Sequence, residues 1–306
     1  MKLDVAVVGK ANVDYLARAP RLPRPGEGVN GDLFQEAAGG KGANQAVGAA
    51  RLGARAALVA RVGSDERGAL VLATLQRERV DARFVTRDPA EPTGVALCQV
   101  DGAGQKQMLS FVGANARLSA ACVREAAGML ASCRVLLTQM GVPREALLEA
   151  LRIAREAGAK VVLDAAPGLP ADDALLAQVD LVRPNRFEAE ALTGVAAVDR
   201  ESAREAARQL TRRGARAAVV QAGHDGDVLL TADGETWLPR FPVQSVDATG
   251  AGDAFSSALA VCIAEGRPLP EAGRFASACA ALATTVLGAQ ASLPARAAVE
   301  NLLNGR

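Results

Sequence analysis

Short runs of aliphatic and β-branched residues recur along the chain, separated by longer Ala- and Leu-rich segments with apolar positions three and four apart. Residues 5–8, 57–62, 135–137, 161–163, 181–182 and 217–220 read as buried strands. Between them, 145–157 places Leu147, Leu148, Leu151 and Ala154 on one helical face and stops at Gly158, while a second helix, 201–213, stops at Gly214. Ser64 stands where it would cap a helix carrying Leu72 and Leu75. Strand alternating with helix is the pattern of parallel strands joined by crossover helices. It predicts an α/β fold with a sheet covered by helices on both faces.

Two regions break the rhythm. From about 15 to 35, Pro20, Pro23, Pro25, Gly26 and Gly28 punctuate segments too brief for helices. From 94 to 112, two extended stretches (94–100 and 105–112) flank Asp101-Gly102-Ala103-Gly104, a hairpin connection. Both predict strands of a small accessory sheet inserted into the first half of one larger domain. Asp233-Gly234 predicts another hairpin, joining 228–231 to 236–238. The last third is helical, over 251–265, 271–286 and 294–303.

Composition narrows the function. The 306 residues are half hydrophobic and 23% charged, enough apolar surface for a substantial core. Thirty-five basic against 34 acidic residues, with no long run of one sign, argues against a nucleic-acid binder. No apolar stretch approaches the roughly 20 residues of a membrane span, and the start reads as no signal peptide, so a cytoplasmic protein is expected. Five scattered cysteines without a CxxC pair, and one histidine, His224, make a zinc site or a disulfide framework a poor reading; packed, reduced thiols are expected. His224 is read as a solvent-facing turn residue. Tyr15 is placed beside the Asp14 rim, and Trp237 in the hairpin.

Three segments carry chemistry. In Val246-Asp247-Ala248-Thr249-Gly250-Ala251-Gly252-Asp253-Ala254-Phe255, small residues let a turn at a helix N-terminus bring successive backbone N–H groups to one point, where the helix dipole also favours an anion. Asp253, in the first turn of that helix, is a carboxylate placed to accept a proton from an attacking hydroxyl. In Ala37-Ala38-Gly39-Gly40-Lys41-Gly42-Ala43-Asn44, paired glycines let a ligand approach the backbone, Lys41 offers a cation and Asn44 both a donor and an acceptor. With Asn12 and Asp14 after the first strand, these suggest a rim for a polyhydroxylated ligand. In Arg183-Pro184-Asn185-Arg186-Phe187-Glu188, Asn185 and Glu188 share one helix face, able to orient Mg²⁺ and nucleotide phosphates.

The combination resembles the ribokinase-like carbohydrate kinases of the phosphofructokinase-B type. The likeness rests on GGKGANQA at 39–46 and DATGAGDAF at 247–255. It extends through Gly113-Ala114-Asn115-Ala116, the Asn185/Glu188 pair, Gln221-Ala222-Gly223-His224-Asp225-Gly226 and Gly288-Ala289-Gln290, over essentially the whole chain. It implies a single domain over 1–306: a three-layer αβα core with a mostly parallel sheet, and a β lid from about 12–36 and 91–112 that pairs two copies into a homodimer. It implies phosphoryl transfer from MgATP to a sugar hydroxyl. D-Ribose, giving ribose 5-phosphate, is the leading acceptor; a nucleoside, fructose or another hexose, or a keto-deoxy sugar acid are alternatives, and a sensor without catalysis is the reading from another class.

By residue, Asp253 matches the family's catalytic base, and the backbone of Gly250, Ala251 and Gly252 its anion hole. Asn12, Asp14, Gly39, Gly40, Lys41 and Asn44 match the sugar positions. Asn185 and Glu188 match the phosphate and Mg²⁺ motif; Gln221, Gly223, Gly226, Gly252 and Ser277 fall along the nucleotide cleft. A potassium site is implied at Asp247, Ser292 and the carbonyls of Thr249, Ala283, Val286 and Gly288. Oxygen ligands there would fix the shape of the anion turn. One position departs: the most similar family members carry a glutamate that accepts hydrogen bonds from the sugar where this chain has Gly141. Losing one charged hydrogen bond weakens binding roughly 10- to 150-fold, and Gly141 leaves room for a bulkier or differently substituted acceptor.

Overall fold

The computed structural model describes residues 2–102, 105–165 and 171–305. Its strands are β1 (Leu3–Val8), β2 (Asn12–Ala19), β3 (Leu33–Gly39), β4 (Ala56–Gly63), β5 (Asp81–Asp88), β6 (Gly94–Asp101), β7 (Lys106–Phe111), β8 (Cys133–Gln139), β9 (Lys160–Asp164), β10 (Leu181–Arg183), β11 (Ala218–Ala222), β12 (Gly226–Thr231) and β13 (Gly234–Pro239). Nine form one sheet in the order β13-β12-β11-β10-β9-β8-β1-β4-β5. It is parallel from β5 to β11 and closes with two antiparallel pairings at the β13 edge.

Alternate residues of β1 serve opposite faces, as period-two geometry requires. Val5 and Val7 join a core with the helices Lys41–Arg51, Ala251–Ala264 and Leu269–Ala283; Ala6 and Val8 join another with Arg144–Glu156 and Arg200–Arg212. Parallel strands covered on both sides need near-continuous apolar runs, which is why the sequence showed them as runs rather than as alternation. Ala251–Ala264 is buried almost all round, lying between the sheet and two other helices. All five cysteines are free thiols, four of them buried.

The irregular segments form a separate four-stranded sheet, β3-β2-β6-β7, in which β2 runs antiparallel to β3 and parallel to β6. β6 and β7 pair as expected; Ala103 and Gly104 of their connection lie outside the described residues. Strand β7 is exposed along its whole length.

Two local expectations are corrected, and one strand was not anticipated. The cap of Glu66–Arg77 is Asp65 rather than Ser64, because the Asp65 carboxylate reaches both the Gly68 amide (2.8 Å) and the Thr93 amide (3.0 Å). The helix expected over 271–286 spans Leu269–Ala283: Thr284 and Thr285 turn their hydroxyls back onto the carbonyls of Ala281 and Leu282, and Val286 lies exposed beyond. Strand β5 escaped the reading because its Asp- and Arg-rich sequence forms a sheet edge with little apolar signal.

Candidate active site

Strand order reverses direction at β1, whose neighbours β4 and β8 are reached by crossovers on opposite sides. Open parallel sheets bind ligands at such a point, outside the carboxyl ends of the strands. A cavity of about 800 Å³ opens there, between the ends of β1 and β10, the N-terminus of Ala251–Ala264, and Ala96, Cys98, Lys106, Met108 and Ser110 of the small sheet.

Its floor is the glycine turn. Gly250 takes φ 85°, a left-handed conformation in which a Cβ would sit 2.8 Å from the Ala289 carbonyl oxygen, so glycine is required. No side chain caps the helix. The amides of Gly250, Gly252 and Asp253 donate to no described residue, while Ala251 makes one long bond, 3.3 Å, to the Ala248 carbonyl. Unsatisfied amides at the positive end of a fourteen-residue helix are able to hold an anion.

Beside them lies Asp253, only 6% exposed. Its carboxylate accepts from Asn44 Nδ2 (2.9 Å) and Gln45 Nε2 (3.2 Å), with Lys41 Nζ at 3.8 Å. Burial raises its pKa, and the Lys41 ammonium holds it back. Lys41 is the corner of a buried charge network: its Nζ also lies 3.1 Å from Asp164, whose other oxygen accepts from Gln45 (2.9 Å) and Ser256 (3.0 Å). Burial works against the Lys41 charge, but the two carboxylates outweigh it and raise its pKa. Lys41, matched to a sugar position, lines the cavity with its ammonium between two protein carboxylates.

Of the other positions matched to a sugar rim, Asn12, Asp14, Gly40 and Asn44 line the cavity and Gly39 does not. Asn12 is oriented by Asn115 Nδ2, which donates to its Oδ1 (2.8 Å), and Asn115 Oδ1 accepts from the Ala11 amide (2.8 Å). Gly39 is glycine because a Cβ there would lie 2.1 Å from the Asp14 carboxylate. Burial, and then Asp253, push Asp14 up to about 6. Asn44 Oδ1 is buried without a partner, an acceptor open to a hydroxyl donor. Gly141 is not on the cavity wall; the space before it holds the Lys10 side chain, which is.

On the other side of the turn stands Arg183, at the end of β10 and 8% exposed. Its guanidinium lies over the Phe255 ring at 4.9 Å, its Nη1 is 3.0 Å from where a Cβ on Gly252 would stand, and its Nε has no partner. Asn185 and Glu188 form a capping box: Asn185 Oδ1 accepts from the amides of Phe187 and Glu188 (both 2.9 Å), and Glu188 Oε2 accepts from the Asn185 amide (2.9 Å). Both line the cavity, and burial raises the Glu188 pKa against the pull of Lys41. Gln221 and Ser277 line it too, Ser277 Oγ buried and unpartnered. Gly223 and Gly226 do not; side chains there would strike the Val198 and Leu238 carbonyls. His224 is exposed in the turn and away from the cavity.

Behind the turn, Asp247 accepts from the Thr249 amide (2.9 Å) and hydroxyl (2.6 Å) with one oxygen and from the Gly288 amide (3.0 Å) with the other. The carbonyls of Thr249, Ala283 and Val286 accept no hydrogen bond from any described residue, whereas that of Gly288 takes the Ser292 amide. Oxygen donors left over beside a carboxylate fit a monovalent cation. Among the described residues no three His, Cys, Asp or Glu side chains gather as a metal cage. The buried Glu188 carboxylate on the cavity wall is of the kind Mg²⁺ uses when it keeps its waters and phosphate ligands and asks the protein for one or two carboxylates.

Sequence reasoning missed Lys10, Gln45, Asp164 and Arg183. Gln45 lay inside the GGKGANQA motif, and Arg183 opened the third segment, so position alone could have flagged them. Asp164 and Lys10 had no local signal beyond ending a strand.

The sequence matches the family described as pfkB family carbohydrate kinase over residues 2–296. It is 37% identical to a ribokinase of Haemophilus influenzae, the match covering 97% of each chain, and 32% identical to a deoxyribokinase of Salmonella typhi over 95% of this chain and 96% of that one. The fold is similar to a ribokinase of Arabidopsis thaliana complexed with ribose and ATP, with a TM-score of 0.89, 32% identity and 99% of each chain covered.

Proposed function

Because this chain belongs to the pfkB family of carbohydrate kinases and is thus a sugar-phosphorylating enzyme, we propose that it transfers the γ-phosphoryl group of MgATP to the terminal hydroxyl of a five-carbon sugar, with D-ribose as the reference acceptor. The observation that carries this is the juxtaposition of a buried carboxylate with unsatisfied helix N-terminal amides on one cavity wall. The relatives named ribokinase, and the similar structure that holds ribose and ATP, support the pairing of substrates.

In mechanism, Asp253 accepts the proton of the hydroxyl as it attacks, with Asn44 and Gln45 fixing the carboxylate's direction. The amides of Gly250, Gly252 and Asp253 stabilise charge on the transferring group, and the free Arg183 guanidinium adds a cation at the same place. Asn12, Asp14, Gly40 and Asn44 hold the sugar. Asn185, Gln221 and Ser277 face the nucleotide. Mg²⁺, when bound with ATP, neutralises phosphate charge, and Glu188 is the carboxylate placed to hold its waters. A potassium ion would be held by the free carbonyls beside Asp247, bracing the turn. The small sheet serves as a lid: Lys106 Nζ already reaches Thr249 Oγ1 at 2.7 Å, which ties β7 to the anion turn at the edge of the cavity. The lid's outer surface, with Phe34, Leu97, Leu109 and Phe111 exposed, is the surface through which two copies pair.

The test is ADP formation from MgATP with D-ribose, in potassium and in sodium buffer. Sugar-dependent turnover that is faster in potassium is the expected result. No sugar-dependent ADP with any pentose, hexose or nucleoside would overturn the reading.

A further inference from the structure

We infer that the acceptor pocket selects a sugar bearing a carboxylate, an aldonic acid rather than a neutral sugar, and that Lys10 is the residue that selects it. This rests on the kinase reading above and names the acceptor class for the same site. The sequence alone shows only a loss, glycine at 141. The structure shows an exchange. A Cβ built on Gly141 would lie 3.0 Å from Lys10 Cε and 3.1 Å from its Nζ, so the space before Gly141 is filled by an ammonium. In front of Gly141 this chain presents a donor cation to the cavity.

That cation is unspent. Lys41, its neighbour, is matched by Asp164 and Asp253. Lys10 Nζ makes no hydrogen bond and no ion pair within 4.0 Å among the described residues, although it lines the cavity. Burial and the Lys41 charge both lower its pKa, and Asp253 and Asp164, neither of them paired to it within 4.0 Å, only partly oppose that shift. Asp14, the remaining rim carboxylate, is coupled electrically to Asp253 and Lys106, not to Lys10. A half-buried cation without a partner is costly to keep unless a ligand supplies the anion. Between Lys10 and the reacting hydroxyl's place runs a relay of amides: the Lys10 backbone N–H to Gln139 Oε1 (3.5 Å), Gln139 Nε2 to Gln45 Oε1 (3.1 Å), and Gln45 to Asp253. The ammonium itself stands outside that relay and on the cavity wall, where an acceptor carboxylate would supply the partner it lacks.

The experiment compares kcat/KM for D-ribonate, ribitol and D-ribose with MgATP in the full chain. Ribonate and ribitol have the same length and differ in the carboxylate. Wild type should favour ribonate over ribitol by about 10- to 150-fold, the range a charge-assisted hydrogen bond spans. Lys10→Ser should bring that ratio towards one, and Lys10→Arg should keep most of it. Gly141→Glu leaves the lysine in place and supplies it with a carboxylate, so it should also erase the preference; it keeps the test open should the serine variant fold poorly. A wild-type ratio near or below one, or one that Lys10→Ser and Gly141→Glu both leave unchanged, overturns the inference while turnover of ribose keeps the kinase reading. Absence of ADP formation with every acceptor, ribose included, overturns both.

Discussion

Replacing Asp253 by Asn tests the chemical step with little disturbance elsewhere. The amide is isosteric with the carboxylate but cannot take a proton, and a positioned general base is worth roughly 10²- to 10⁴-fold, or about 2.7–5.4 kcal/mol of barrier. Folding should survive for a reason visible in the site. The new amide would point its NH₂ at a donor, Asn44 Nδ2 or Gln45 Nε2, at a cost of about 1–3 kcal/mol if nothing moved. Asn44, however, carries a buried Oδ1 without a partner, and turning its amide over presents that oxygen to the new donor. Lys41 keeps Asp164 at 3.1 Å, so no ammonium is left unpaired. The expected outcome is a kcat lowered at least 100-fold at saturating sugar and MgATP in a coupled ADP assay, with ADP affinity within threefold of wild type by calorimetry. Wild type should lose kcat on an acid limb above the ordinary carboxylate range, since burial raises the Asp253 pKa, and the variant should lack that limb. A variant kcat within tenfold of wild type, with the limb intact, refutes the assignment.

Three further outcomes follow from the same site. Asp14 has its folded pKa raised from 3.8 to about 6, so the folded chain holds a proton between those values that the unfolded chain has released. The stabilising contribution is present below about pH 4 and lost as pH rises through 6, about 3 kcal/mol in all. Asp14→Asn should therefore raise the thermal midpoint at pH 7.5 more than at pH 4.5 while raising the KM for the sugar; an equal shift at both pH values counts against it. Arg183→Gln should lower kcat with MgATP roughly 10²- to 10³-fold while changing ADP affinity little, because the guanidinium stands by Gly252 where the transferring group passes; equal losses in ADP binding would assign it to the diphosphate instead. Leu109→Asp with Phe111→Asp, on the exposed strand β7, should give a monomer in sedimentation velocity where wild type is a dimer; a monomeric wild type removes the lid interface.

Legibility differed by kind of residue. Strands β1, β4, β8 and β9 were readable because burial on both faces writes itself as an unbroken apolar run, and helix ends because Gly158 and Gly214 mark them. The anion turn was readable because only glycine takes the backbone of position 250 and the sequence must say so. β5 was not, since a sheet edge tolerates charge. Glu188 was legible as a carboxylate sharing a helix face with Asn185, but its capping bond to the Asn185 amide needed coordinates. Asp164 closes the network around Lys41 and Gln45 from more than a hundred positions away in sequence, and nothing in the run Val161-Val162-Leu163-Asp164 distinguishes such a carboxylate from a strand end.

The case of Gly141 shows why a position read alone misleads. Strands β1 and β8 pair in parallel with Val8 opposite Thr138, so the residues that follow each strand emerge side by side at the mouth of the cavity. Gly9 meets Gln139 there, and Lys10 fills the space in front of Gly141. The absence of a side chain at one strand end leaves the space that the long side chain at the other fills with a positive charge. The substrate thus sees one altered surface, and its charge preference follows from the pair. A substitution at either position alone should act on the same quantity, the ratio of charged to neutral acceptor turnover, and the double variant Lys10→Ser with Gly141→Glu should depart from the sum of the two single changes in free energy. If the double variant instead equalled the sum of two independent effects in free energy, the two positions would not be coupled through one ligand group.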